Sequence, residues 1–155
     1  SFSGKEVVQV YCEAPQGKLG KPARVLSGFE KTDELSPGEE QLLDIEVELE
    51  KLASYDDTGV TGHRFSFVLE EGVYRFYVGT DVRNAVCADA IELDRLKVVK
   101  VLSQCLAPVM PFRRIRPEAN ADGSFIVAYE DVPMLETDER EKRLSRHQRF
   151  LDLFQ

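Results

Sequence analysis

The sequence predicts an all-β sandwich, two antiparallel sheets packed face to face, followed by a short C-terminal extension. Three observations carry that expectation. Six or seven short apolar runs rich in β-branched and aromatic residues follow one another at regular spacing, with turn residues between them. No helical period separates those runs, which argues against a parallel α/β sheet. At 155 residues and 43% hydrophobic content, the chain has the size of one domain and enough apolar side chain for a core without metals or disulfides.

The elements read in order. Val8, Val10 and Cys12 alternate with Val7, Gln9 and Tyr11, the two-residue period of a pleated strand. Pro15, Gly17, Gly20 and Pro22 punctuate a loop before a second strand over 24–31, in which Gly28 marks a candidate bulge. Ser36-Pro37-Gly38-Glu39 is a turn by composition, with Pro presetting φ and Gly accepting a positive one. The cleanest alternation follows: Leu43, Ile45, Val47 and Leu49 against Asp44, Glu46, Glu48 and Glu50, which predicts a half-buried strand over 43–50.

After the loop at Tyr55-Asp56-Asp57-Thr58-Gly59, the run 64–69 places Phe65, Phe67 and Leu69 on one face. Glu70-Glu71-Gly72 then predicts a reversal into 73–78, so these two runs are expected to form a hairpin. Further strands are expected over 84–93 and 97–106, the second with an imperfect alternation that also fits a short helix, and the sandwich over residues 1–107. Pro108 and Pro111 disfavour both helix and central strand, so residues 108–155 read as a separate extension. Within it, 112–116 and 125–129 flank Asn120-Ala121-Asp122-Gly123 and predict a small hairpin. Asp138 and Glu141 have capping-box spacing, and Leu144, His147, Leu151 and Phe154 recur at helical spacing, predicting an amphipathic helix over about 138–154.

Charge and cysteines bound the function. A net charge of −8, from 28 acidic and 20 basic residues, repels nucleic acid and anionic membranes, so neither is an expected partner. No apolar run reaches the ~18 residues of a membrane span, and the opening Ser1-Phe2-Ser3-Gly4-Lys5 has no signal-peptide segment. That opening reads as the lead-in to a strand, and the chain is expected to be a piece of something longer. Cys12, Cys87 and Cys105 cannot all pair within one chain and form no CxxC motif. Reduced thiols in a bacterial cytoplasm are the simplest expectation.

Five successive segments carry a resemblance. They are Gly4-Lys5-Glu6-Val7-Val8-Gln9-Val10-Tyr11, Gly20-Lys21-Pro22-Ala23-Arg24-Val25-Leu26-Ser27-Gly28-Phe29, Leu35-Ser36-Pro37-Gly38-Glu39, Leu52-Ala53-Ser54-Tyr55-Asp56 and Glu71-Gly72-Val73-Tyr74-Arg75-Phe76-Tyr77-Val78-Gly79. In this order the chain resembles the fibronectin type III-like domain of family 3 glycoside hydrolases, a group that includes many β-glucosidases. The resemblance implies an immunoglobulin/fibronectin type III-like β-sandwich that holds no catalytic group, because the family's nucleophile and acid/base residue lie in other domains. It also implies partners, the catalytic domains of the same polypeptide. In members with permuted domain order the sandwich precedes the catalytic barrel, and residues 108–155 resemble the connection between them. Many relatives carry a Trp where this chain has Phe65 or Phe67, and this chain has no Trp at all.

The residues offer few rival sites. Glycoside hydrolysis needs two facing carboxyls, one of them with a raised pKa; Asp56 and Asp57 are adjacent carboxylates, but in their loop they read as caps for backbone donors. His63 and His147 have no ligand at metal spacing, so no metal or cofactor is expected. Arg113, Arg114 and Arg116 form the one basic cluster, fit either to pair with an adjoining domain or to stand as solvated charges around Ile115. Leu144, His147, Phe150, Leu151 and Phe154 give the predicted helix an apolar stripe that needs a cover, either the sandwich, a second copy or another domain. A second class of function, a carbohydrate-binding or adhesive module, rests on Tyr11, Tyr55, Tyr74, Tyr77 and Tyr129 as sugar-stacking surfaces.

Overall fold

A computed structural model describes residues 2–103, 108, 110–122 and 124–134. Its elements are β1 (Val7–Glu13), β2 (Val25–Lys31), a 3-10 turn (Leu49–Leu52), β3 (Ser54–Asp56), β4 (Ser66–Leu69), β5 (Gly72–Gly79), β6 (Val86–Leu93), β7 (Lys97–Val101), β8 (Arg113–Ala119) and β9 (Phe125–Asp131). Strands β2-β1-β5-β6 form one antiparallel sheet, β3-β4-β7 a second, and β8-β9 a separate hairpin. The all-β sandwich expected from the sequence is present in both its layers.

The core lies between the two sheets. Cys12 of β1 and Tyr74 of β5 come from one layer and Leu69 of β4 from the other, and Phe76, Ile91, Leu93 and Val99 pack around them. Burial pushes the Cys12 thiol up to about 11, with the neighbouring Glu13 charge adding to the rise, so this cysteine behaves as a small hydrophobe. Along β1 and β2 the register steps from Val10 opposite Gly28 to Tyr11 opposite Leu26, so Ser27 is the extra residue of a bulge beside Gly28, as the sequence suggested. Gly38 takes φ +85° in the Ser36–Glu39 turn, which the Glu39 amide closes onto the Ser36 carbonyl at 2.9 Å.

Two sequence expectations fail here. The segment 43–50 is no strand: it keeps its alternation, with Leu43, Ile45 and Val47 half-buried and Asp44, Glu46 and Glu48 exposed, yet it pairs with no strand among the described residues. Ile45, Glu46 and Val47 lie over Gly28, so close that a Cβ there would sit 2.9 Å from the Ile45 Cγ2. The side-chain period reports an extended backbone, whereas a strand also needs a free ladder edge, and this segment covers a face instead. Leu49, expected inside, is exposed in the 3-10 turn.

The runs 64–69 and 73–78 are likewise not a hairpin, because β4 and β5 belong to different sheets. Glu70-Glu71-Gly72 is a corner that carries the chain across the core. Tyr74, 1% exposed, ties that corner by donating its hydroxyl to the Glu70 carbonyl at 3.0 Å, a bond to backbone just upstream of the kind that recurs in immunoglobulin-like sandwiches. Phe65 does not share a strand face with Phe67 and Leu69. It stands ahead of β4 with φ +62°, held by its amide on the Asp56 carbonyl and its carbonyl on the Leu102 amide.

The expected small hairpin forms as β8-β9, in register from Arg113 opposite Asp131 to Ala119 opposite Phe125. The helix expected over about 138–154 lies outside the described residues, as do Leu144, His147, Phe150, Leu151 and Phe154.

Candidate functional site

The polar groups of this chain converge on the loops at one end of the sandwich, where the hairpin meets it. Asp56 ends β3 with its side chain fully buried. It accepts bonds from the Gly59 amide (2.6 Å), the Val60 amide (3.1 Å), the Thr61 amide (2.9 Å) and the Thr61 hydroxyl (2.5 Å). Burial works to raise its pKa, but the bonds from Thr61, Gly59 and Thr58 outweigh that and hold it below the ordinary carboxylate value. Asp56 therefore organises the loop 57–61, the capping role its sequence context suggested.

Asp57, the next residue, turns outward and meets the hairpin. Arg114 of β8 grips it in a fork, Nη1 to Oδ2 at 2.6 Å and Nη2 to Oδ1 at 2.9 Å. The Arg114 Nε donates to Glu130 Oε1 at 2.5 Å, and Arg116 bonds the other Glu130 oxygen at 3.1 Å and the Lys18 carbonyl at 2.9 Å. This chain of ion pairs raises the Arg114 pKa further, the bond to Asp57 contributing most. Gly20 allows the close approach: a Cβ there would meet the Arg116 Cγ at 3.1 Å and the Pro117 Cδ at 3.2 Å. A cleft of 630 Å³ remains between loop and hairpin, lined by Lys18, Gly20, Tyr55, Val60, Arg114 and Arg116 among others.

The loop before β2 is fixed from the corner. Glu70 accepts from the Lys18 amide (2.6 Å) and the Leu19 amide (3.1 Å) and forms a buried ion pair with Lys21, whose ammonium also donates to the Pro15 carbonyl at 2.8 Å. Gly17 leaves room for this carboxylate, since a Cβ there would lie 2.3 Å from Glu70 Oε1 and displace it. Sequence reading missed this pair, because Lys21 and Glu70 stand 49 residues apart in segments that resemble solvated loops. The one available signal was a Lys between Gly20 and Pro22, too weak to single out.

None of this is the geometry of glycoside hydrolysis. Asp57 is paired with Arg114 and Glu130 with Arg114 and Arg116, and among the described residues every resolved carboxylate shift, at Asp56, Asp81 and Asp122, is downward, opposite to what a general acid needs. Among the described residues no three His, Cys, Asp or Glu side chains gather to hold a metal ion, and no helix is long and apolar enough to cross a membrane. Arg113 reaches the Tyr129 carbonyl and a distant Asp131, both at the exposed edge of the hairpin. The tyrosines are mostly engaged. Tyr11 and Tyr74 are buried, Arg24 lies 3.7 Å over the Tyr77 ring, and Tyr55 packs on Phe67 with ring centroids 5.2 Å apart.

Comparison with known proteins agrees with this picture. The fibronectin type III-like domain profile matches residues 6–82. A β-glucosidase of Ruminococcus albus is 54% identical over 144 residues, which is 93% of this chain and 15% of that protein. The crystal structure of a β-glucosidase from Paenibacillus barengoltzii superposes with a TM-score of 0.86 at 43% identity, covering 94% of this chain and 16% of that one. A β-glucosidase structure from Kluyveromyces marxianus, at 30% identity and a TM-score of 0.56, covers 66% of this chain and 12% of that one. The chain thus spans about one part in six to eight of these proteins. Through residues 6–82, this chain belongs to the fibronectin type III-like domain family, in the form carried by family 3 glycoside hydrolases.

Proposed function

We propose that this chain is the structural domain of a β-glucosidase-type glycoside hydrolase, bracing the catalytic domains of the same polypeptide by packing and contributing no group to the chemistry. The observation that carries this reading is the 54% identity to a β-glucosidase over nearly the whole chain, combined with a share of only 15% of that protein. The local chemistry agrees with it, since Asp56 caps a loop and Asp57 sits in an ion pair. In this reading residues 1–107 are the sandwich and 108–155 the extension. The extension carries the contacts: Arg114 and Arg116 hold the hairpin to the sandwich through Asp57, Glu130 and the Lys18 carbonyl, which leaves Arg113 on the hairpin side and the amphipathic helix expected over 138–154, offering Leu144, His147, Phe150, Leu151 and Phe154. The free thiols of Cys12 and Cys87 favour a reducing, cytoplasmic setting.

The reading is tested by assaying the purified chain against an aryl β-glucoside. No turnover is expected, and hydrolysis that disappears in Asp56→Asn would refute it. The rival reading of a free carbohydrate-binding module is tested by calorimetry with β-glucan oligosaccharides. Saturable heat lost in Tyr129→Ala would favour that rival, because Tyr129 is the most exposed of the five tyrosines, with the Arg113 guanidinium 5.4 Å over its ring.

A further inference from the structure

The two faces of the β8-β9 hairpin differ in kind. Residues directly opposite one another in an antiparallel pair share a face, so Arg114 with Glu130, Arg116 with Ala128 and Glu118 with Ile126 form one row, and Ile115 with Tyr129, Pro117 with Val127 and, two residues on, Phe125 form the other. The first row is the one locked to the sandwich through Asp57 and the Lys18 carbonyl. The second row is apolar and open to solvent: Ile115 is 64% exposed, Val127 66%, Tyr129 54% and Phe125 45%. Arg113 and Asp131 stand at its end, giving an apolar centre with a charged rim, the anatomy of a protein interface.

We infer that this outer face is buried against an apolar surface of the β-glucosidase polypeptide lying outside this chain, an inference that rests on the function proposed above. Two findings choose that occupant. Relatives that match across 93–94% of the chain, and so include the hairpin, are proteins of which this chain is only 15–16%, so most of their surface lies elsewhere in the same polypeptide. The second argument is area. Side chains of this size at these exposures make an apolar patch on the order of 400 Å². A stable complex between separate molecules needs roughly 800 Å² per partner. A covalently tethered neighbour needs less, because its effective concentration is already in the millimolar range.

Hydroxyl-radical footprinting read by mass spectrometry tests this in the isolated chain and in the longer β-glucosidase polypeptide that carries it, with buried Tyr74 as the unreactive reference. We expect Phe125, Ile115 and Tyr129 to label readily in the isolated chain at the mass of a monomer, and about tenfold less in the longer polypeptide, the range of protection a buried contact gives. Protection already present in the isolated monomer would assign the face to the chain's own C-terminal segment and overturn the inference. Protection that grows with concentration alongside a doubled mass in light scattering would assign it to a second copy, with the same consequence. Equal labelling in both forms would overturn it while leaving the structural role untouched, which falls only to turnover by the isolated chain. Val127→Lys gives an independent reading: the unfolding temperature of the isolated chain stays put and that of the longer polypeptide falls. A fall in neither contradicts the inference.

Discussion

The sandwich and the hairpin solve the same problem in opposite ways. Each is built of short antiparallel strands that must cover an apolar face. The sandwich closes on itself, placing Cys12, Leu69 and Tyr74 between two sheets and fixing its loops from within through Asp56, Glu70 and Lys21. The hairpin has one polar face held to the sandwich by half-exposed ion pairs, while its apolar face has no partner among the described residues. A two-stranded sheet is marginal by itself. The contrast teaches that the sandwich is the self-sufficient unit, and that the hairpin serves something beyond its own stability.

Substitutions that widen or close this difference rank by how much buried polar structure each disturbs. Glu70→Leu should cost most, about 4 kcal/mol, because it strands the buried Lys21 charge and two loop amides together; the midpoint of urea unfolding measures it. Asp56→Asn should cost about 2 kcal/mol at neutral pH, since an amide brings donors into a cradle of donors. The sign with pH follows from its lowered pKa: the carboxylate's contribution is complete above the unfolded value of roughly 4 and is lost as pH falls through the folded value. Unfolding curves of wild type and Asp56→Asn should therefore draw together below pH ~4.

Tyr74→Phe removes one hydroxyl and leaves the Glu70 carbonyl unpaired, at about 1 kcal/mol by thermal unfolding. Burial holds the Tyr74 hydroxyl at about 12, with the nearby Glu70 charge adding to the rise, so it stays a donor throughout the neutral range. Arg114→Ala should cost least in global stability, about 0.5 kcal/mol, because its ion pairs are partly solvated. Its effect should be local, seen as faster amide exchange in β8 and β9 with little change in β1 or β5.

Local rules made much of this molecule legible. Alternation in 7–12, the Ser36–Glu39 turn, the Gly28 bulge and the hairpin around Asp122 each depend on residues close in sequence, and each stands where the pattern put it. The misses depend on what lies across the core. The run at 43–50 has the strand period but no ladder edge to join, and the corner at 70–72 resembles a hairpin turn until β4 and β5 are seen in different sheets. Of the polar end of the molecule, the capping role of Asp56 was readable, since its partners lie within five residues. The pairing of Asp57 with Arg114 spans 57 residues and that of Lys21 with Glu70 spans 49, and no local pattern encodes such distances.

Native-state hydrogen exchange on the isolated chain tests the contrast between the two regions most directly. The account predicts that amides of β1, β4 and β5 exchange only through global unfolding, whereas those of β8 and β9 open with a free energy lower by about 2 kcal/mol or more. Exchange of the hairpin at the same free energy as the sandwich, with the same denaturant dependence, would mean that the two form one cooperative unit and would contradict it.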